Sequence, residues 1–313
     1  TTVALPAGTN VNNVKVQTII EDKEGHEVAR GEKSLTAYDD SIIDQTLDVV
    51  NPALWSCEHP NLYKAVSKVY LGSDLKDEYS TPFGFRSVEF VPNKGFYLNG
   101  EHTIFKGVCL HHDLGPLGAA VNMAAIRRQI RILKDMGCNA IRTSHNMPAP
   151  DLVEACNEMG VMLMLECFDE WKTPKMENGY NKLFDKWIEK DVVNEVRHYR
   201  NDPSVILWCI GNEIPDQHAP NGIKLCKQIQ DIFHREDPTR LCTSGENEVD
   251  AALKTGFMAT LDIPGINYHW KDFQRLFKLI PQSVMVGTES ASTVSSRGVY
   301  KFPVERKSMA MYS

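Results

Sequence analysis

Apolar and polar positions follow two rhythms along the chain. As far as about residue 85 they alternate in short runs: VKVQTII at 14–20, EVARGEKSLTAY after the polar turn EDKEG, and IIDQTLDVV at 42–50. Such alternation predicts half-buried strands. LYKAVSKVYL at 62–71 contains good helix formers, yet the placing of Val66, Val69 and Leu71 and its β-branched content predict a strand. Pro52 and Pro60 break the chain before it. Short strands at steady spacing with polar turns predict an immunoglobulin-like β-sandwich over residues 1–85. It carries no cluster of reactive side chains and reads as a spacer module.

The rhythm changes near Gly84. FRSVEFVPNKGFYLNGEHTIFKGV predicts a small hairpin structure with turns at PNKG and LNGE. Beyond it, strand-like runs at 104–110, 138–144, 161–167, 204–210, 240–244, 263–268 and 283–288 alternate with stretches of helical apolar spacing. The stretches at 122–137 and 149–160 both close on Met-Gly, which predicts capping glycines. Regular alternation predicts a parallel sheet over residues 86–313, either open and doubly wound or closed as a barrel. The polar residues choose between the two. His111, His112 and Asp113, then Ser144, His145 and Asn146, then Asp169, Glu170 and Trp171 follow successive strands. Asn212 and Glu213, Tyr268 and His269, and Glu289 do the same further on. A barrel gathers its chemistry at one end of many strands, whereas an open nucleotide-binding sheet concentrates it at one switch point behind a glycine-rich turn. No such turn is present. The predicted fold class is a β-sandwich followed by an α/β barrel of the (β/α)8 TIM type.

Composition narrows the class further. Of 313 residues, 42% are hydrophobic and 24% charged, which excludes a disordered or low-complexity chain. A net charge of −7 with no Lys/Arg block argues against nucleic acid and against a negatively charged membrane surface as partners. Apolar runs such as VMLML at 161–165 are too short to span a bilayer. The eight cysteines show no C-x-x-C pair or zinc-type spacing, and Cys109, Cys167, Cys209 and Cys242 lie in apolar runs. Buried reduced thiols are expected. Compartment stays open between cytoplasm and bacterial periplasm, and a homo-oligomer stays open too.

Two carboxylates stand out. Glu213 after VILWCIGN and Glu289 after SVMVGT each follow an apolar strand directly, so both are expected to project into the bowl above the barrel core. Paired carboxylates are what cleavage of a glycosidic bond needs, one as acid and one as base or nucleophile. Their separation decides between retention and inversion of configuration, and spacing in the chain does not give it. The plainer reading of either is a structural carboxylate paired with an arginine such as Arg142. HHD at 111–113 lacks the helical pairing of a zinc motif, so hydrogen bonding to sugar hydroxyls is the better reading. Trp171 and Trp270 are candidates for stacking on a sugar ring, whereas Trp55, Trp187 and Trp208 read as packing.

The run KGVCLHHDLGPLGAA, RQIRILKDMGCNAIRTSHN, LVEACNEMGVMLMLECFDEW, NDPSVILWCIGNEI and GTESASTVSSRG resembles glycoside hydrolase family 2, its β-galactosidase-like members most closely. The resemblance covers essentially residues 50–300. It implies a sandwich followed by a TIM barrel and a retaining exo-glycosidase acting on terminal β-D-galactosides through a covalent glycosyl-enzyme. It implies Glu213 as acid/base, Glu289 as nucleophile, and His111, His145 and Tyr268 in the sugar subsite with Asn212 near the 2-hydroxyl. Asp169, Glu170 and Trp270 complete the expected carbohydrate-binding set. Glu213 must be protonated in the first step and a base in the second.

Three departures from the family pattern stand in the sequence. Met147 precedes Pro148 after TSHN, where proline commonly follows directly. Lys172 takes a place where some metal-dependent relatives carry a histidine, so no cofactor is expected to be required, with a magnesium or sodium ion at Glu170 as the alternative. The chain also begins inside the sandwich region and stops 24 residues beyond Glu289. That predicts a fragment of a longer enzyme whose barrel lacks its last strand. A β-glucuronidase or β-mannosidase of the same family, and an inactive carbohydrate-binding fragment, are the competing readings.

Overall fold

The structure, a computed structural model, describes residues 1–35 and 42–291. It forms two compact units: Thr1–Arg86 with Asn157–Gly160 and Asn201–Pro203, and the remainder of the chain from Ser87. No helix among the described residues is long and apolar enough to cross a membrane.

The first unit is the sandwich domain. Strands β1 (Val14–Glu21), β2 (Glu27–Ser34), β3 (Tyr63–Leu71) and β4 (Asp74–Phe83) form an antiparallel sheet in the order β2-β1-β3-β4. Val14 and Val16 of the central β1 point into a core with Val3, Leu35 and Ile43. The EDKEG turn is fixed by the Asp22 carboxylate, which accepts the backbone N–H groups of Glu24 and His26 at 3.0 and 2.8 Å. The expected strand at 42–50 does not form. Ile42 makes one bridge, to Thr2, and the rest is irregular. Side chains hold this stretch across β1 and β2 instead of a ladder. The Gln45 amide oxygen accepts from the Thr18 hydroxyl at 2.6 Å, and Lys33 Nζ donates to the Asp44 carbonyl at 3.3 Å. The end of EVARGEKSLTAY, 36–38, lies outside the described residues.

The second unit opens with the hairpin structure, β5 (Val88–Val91), β6 (Gly95–Leu98) and β7 (Glu101–His102). Asn99 and Gly100, at φ 53° and 79°, make the tight β6–β7 turn that an Asn-Gly pair favours. Seven parallel strands follow: β8 (Gly107–Leu110), β9 (Ala140–Thr143), β10 (Met162–Glu166), β11 (Val205–Asn212), β12 (Cys242–Glu246), β13 (Ile263–Asn267) and β14 (Val286–Glu289). Each pairs with its sequence neighbour, in the order β14-β13-β12-β11-β10-β9-β8. Helices α1 (Met123–Asp135), α2 (Pro150–Met159), α3 (Phe184–Tyr199), α4 (Gly222–Glu236), α5 (Val249–Thr255) and α6 (Phe273–Leu279) supply crossovers. Among the described residues this is a nearly closed TIM barrel of seven strands. The two outermost strands approach across the gap, where the Cys109 thiol of β8 donates to the Thr288 carbonyl of β14 at 3.4 Å.

Every residue of β11 is buried, as are those of β10, β12 and β13, which is why these strands read as near-continuous apolar or small-residue runs. Asn122 caps α1 by accepting the Ala125 N–H at 3.0 Å, and Gly137 just past its end sits at φ 93°. A Cβ at Gly265 of β13 would lie 2.3 Å from the Ser244 carbonyl, so only glycine lets β12 and β13 meet at that level. All eight cysteines are free, with Cys109 and Cys138 half-buried and the others buried.

Among the described residues of this unit, two carboxyl groups are fully buried without a hydrogen-bond partner of good geometry: Glu195 on α3 and Glu246 at the end of β12. Burial pushes each up to about 8, against an ordinary value of 4.5. Both are neutral acids in the fold at mildly acidic pH. Because the folded state holds these protons more tightly than the unfolded chain, their contribution to stability is complete below pH 4.5 and is lost as pH rises through 8. Replacing Glu195 with Gln removes one of the two contributions. Thermal melting between pH 5 and pH 8.5 should therefore fall less steeply for Glu195→Gln than for wild type, and parallel curves would refute a buried neutral Glu195.

Candidate active site

The polar ends of the barrel strands meet around one guanidinium. Arg142, in the middle of β9, is 4% exposed. Its Nε lies 2.7 Å from Glu166 Oε2, its Nη2 donates to Asn212 Oδ1 at 2.9 Å, and its Nη1 donates to Glu289 Oε2 at 3.1 Å. Burial opposes its charge most, but the Glu166 carboxylate together with the Cys209 and Cys109 sulfurs outweighs burial and holds the group firmly protonated. Alternation along β9 turns Arg142 into the barrel, and the same alternation brings Glu166, Asn212 and Glu289 in from three other strands.

Glu289, at the end of β14, accepts the Tyr268 hydroxyl on Oε1. Its Oε2 accepts Arg142 and lies 3.4 Å from the amide nitrogen of Asn267. Glu213 follows β11 directly and sits in the left-handed region at φ 45°, as Tyr268 after β13 does at φ 60°. Non-glycine residues held in this region cluster at functional sites. Glu213 Oε1 accepts from the same Asn267 nitrogen at 2.9 Å, and Oε2 accepts from Asn247 at 3.1 Å. One amide nitrogen thus touches both carboxylates. The separation of the two facing oxygens cannot exceed the sum of those contacts, which brings both carboxylates into one pocket.

His145 and Asn212 border the same space. His145 Nδ1 lies 2.9 Å from Glu166 Oε1, and a carboxylate there fixes the ring with its proton on Nδ1 and Nε2 facing inward. Nε2 is 3.5 Å from Asn212 Nδ2 and 4.0 Å from Glu289 Oε2. The His111 ring stands edge-on to His145 at 5.0 Å. Asp169 Oδ1 accepts from Asn212 Nδ2 at 2.9 Å and from Lys175 Nζ at 2.8 Å. Burial works against its charge, but Lys175 and Asn212 outweigh burial and hold its carboxyl below the usual range.

Three expectations need correction. Glu170 does not face the bowl. Its carboxylate, 3% exposed, accepts the backbone N–H groups of Lys175, Met176 and Asn181 at 2.6, 3.4 and 2.9 Å and so clamps the loop after β10. Trp171 is fully buried, its Nε1 donating to the Ile210 carbonyl at 2.7 Å, so it offers no ring face to a sugar. Trp187 lies on the surface of α3 between Lys186 and Lys190, not in the packing. Trp270 is on the rim and 58% exposed.

The donors near Glu170 do not fit a divalent cation. Both Glu170 oxygens are directed at amide hydrogens, and the neighbouring Lys172 ammonium pairs with Asp185 at 2.7 Å. Among the described residues the one group of side chains with metal-type spacing is His234, Cys242 and Asp262. Cys242 is the first residue of β12 and Asp262 directly precedes β13, so this group lies at the strand ends opposite the carboxylates.

Sequence reasoning overlooked Glu166, Lys175, Asn247, Asn267 and Thr288. Asn267 alone carried a signal, as the last polar residue of an apolar strand immediately before Tyr268. The roles of the others depend on partners remote in the chain.

Comparison with known proteins bears on the family and the fold. Residues 90–276 match the family described as glycosyl hydrolases family 2, TIM barrel domain, and residues 2–86 match glycosyl hydrolases family 2. The chain is 38% identical over 339 residues to the beta-galactosidase BoGH2A of Bacteroides ovatus, covering 98% of this chain and 40% of that protein. It is 27% identical over 203 residues to a beta-glucuronidase of Bacteroides fragilis, covering 64% of this chain and 29% of that protein. A crystal structure of a glycosyl hydrolase family 2 member from Bacteroides cellulosilyticus superposes with a TM-score of 0.84 at 36% identity, covering 89% of this chain and 36% of that one. The chain thus spans less than half the length of these relatives, and with both of its units matched in order it belongs to glycosyl hydrolases family 2.

Proposed function

We propose that this site belongs to a retaining exo-glycosidase that hydrolyses terminal β-D-galactosides, with Glu289 as nucleophile and Glu213 as acid/base. The observation that carries the reading is the Asn267 nitrogen in contact with both carboxylates, which supports a pair close enough to act on one sugar ring. Arg142 and Tyr268 donate to Glu289 from two sides and orient it for attack. In the first step Glu213 gives its proton to the glycosidic oxygen, the bond from that oxygen to the anomeric carbon breaks, and Glu289 Oε bonds to that carbon. In the second step Glu213 takes a proton from water, whose oxygen displaces Glu289 and regenerates both groups. Asn212 is placed to bond the 2-hydroxyl, His111, His145 and Asp169 other hydroxyls, and Trp270 an aglycone at the rim. Protein side chains supply every proton and charge in this scheme, and no metal is required.

A galactoside is favoured over a glucuronide by charge. Asp169 is held ionised beside the sugar space and takes up the Lys175 ammonium, a cation that a sugar carboxylate would otherwise use. The cations of the site face other groups: Arg142 faces Glu166 and Glu289, and Lys175 faces Asp169. The names of the relatives support both sugars, so the intact protein should be assayed on aryl β-galactoside, β-glucuronide and β-mannoside. The galactoside should give the highest kcat/KM by at least about tenfold, the ratio of about 1.4 kcal/mol in transition-state binding. Preference for the glucuronide would overturn the assignment, and no release from any of the three would overturn the hydrolase.

Glu289→Gly should abolish hydrolysis, and added azide should restore release of the phenol with formation of the α-galactosyl azide. Glu213→Ala should lose about 10²–10⁴ in kcat/KM on phenyl galactoside, the usual worth of general acid catalysis. It should lose far less on a dinitrophenyl galactoside, whose leaving group needs no proton. The β-azide from Glu289→Gly would reverse the two roles.

A further inference from the structure

Hydrogen-bond polarity can be traced to Glu213 through two amides whose orientation is dictated by the backbone. The Glu248 N–H can only donate, and it meets Gln217 Oε1 at 3.2 Å. The Ile214 carbonyl can only accept, and it meets Gln217 Nε2 at 3.0 Å. Gln217 is fully buried and so has a single orientation. Its Nε2 donates a second time, to Asn247 Oδ1 at 3.1 Å, which turns Asn247 Nδ2 towards Glu213 Oε2.

A second chain arrives at the other oxygen with the same sign. Arg142 Nη2 can only donate to Asn212 Oδ1, and Asp169 can only accept from Asn212 Nδ2. Asn267 Nδ2 must therefore donate to Asn212 Oδ1, at 3.0 Å, and it donates to Glu213 Oε1 as well. The Thr288 hydroxyl completes Asn267 on its oxygen side. Glu213 is thus met on both oxygens by pinned N–H donors, and no pinned acceptor faces it.

We propose that Gln217 and Asn247 form a polarity relay that favours the carboxylate form of Glu213 and so sets the pH range over which it serves as acid and then as base. Asn247 acts by direct contact, and Gln217 is a positioning residue that acts through it. The proposal deepens the assignment of Glu213 as acid/base and rests on it. Hydrogen bonds to the charged form of a carboxyl favour that form, and bonds to a charged group are the stronger kind. The relay thus limits acid catalysis at high pH and extends base catalysis to lower pH. The other titratable groups around the pocket are Glu289 and Arg142 on β14 and β9, His145 after β9, Glu166 on β10, Asp169 and Lys175 after β10, Tyr268 after β13, and Glu246 on β12. None of these is altered by changing Asn247.

The test is the pH profile of kcat/KM for the intact protein on phenyl β-galactoside, which needs the acid, and on dinitrophenyl β-galactoside, which does not. Asn247→Leu should move the alkaline limb on the phenyl substrate up by about one pH unit, the size of one hydrogen bond to a charged group, and leave the dinitrophenyl limb in place. Gln217→Met should move it in the same direction by less. The double variant should match Asn247→Leu alone, because both changes break one relay. Asn247→Asp, which keeps the side-chain size, should move the limb further still through like-charge repulsion, and it decides the matter if the leucine variant does not fold. An unmoved phenyl limb in active Asn247 variants overturns the relay. Absence of hydrolysis by the wild-type protein overturns the relay together with the assignment of Glu213.

Discussion

Arg142 is the interaction on which the site depends. Its guanidinium is almost wholly removed from water and faces two carboxylates and an amide oxygen contributed by three other strands. A buried cation of this kind is tolerable only where its partners are all in place, and loss of one partner typically costs about 3–5 kcal/mol because a bare charge is left behind. The barrel is therefore closed around a geometry that chemistry can use. Glu166 orients His145 from one side of the guanidinium, Asn212 is turned by another of its nitrogens, and Glu289 is held by the third. The residues at the strand ends inherit their orientation from a hub one layer below them.

The same logic explains why amides are so frequent here. Asn212, Asn247, Asn267 and Gln217 each present a donor and an acceptor, and each is fixed by a neighbour that can only give or only take a proton. Buried polar networks of this kind are stable when every member is satisfied. Glu246 departs from that rule. It is buried beside the network, raised by burial and by the nearby Glu213 charge, and remains a neutral acid within the fold.

Much of the architecture was legible because periodicity is a local property. The seven barrel strands fall where the apolar runs lie, and Glu213 and Glu289 were visible because each stands three residues beyond the end of such a run. What was not legible depends on partners distant in the chain. Residues 42–50 alternate like a strand yet pair with backbone only at their start, beside Thr1 and Thr2, and beyond it their side chains dock on β1 and β2. Trp171 follows a strand end like the site residues, but the Ile210 carbonyl draws its ring inward. Gln217 lies in a short 3-10 turn with no pattern to distinguish it, and only the fold places Glu248 and Asn247 on its two ends.

The clamp made by Glu170 has a consequence for tempo. A single carboxylate, itself out of water, grips three amides of the loop that follows β10. Lys175 ties the same loop to the Asn212 carbonyl at 3.0 Å. A rim fastened at so many points does not swing open and shut like a lid. On this side of the bowl the proposed sugar ligand meets a standing doorway, and no swing of this loop sets the pace.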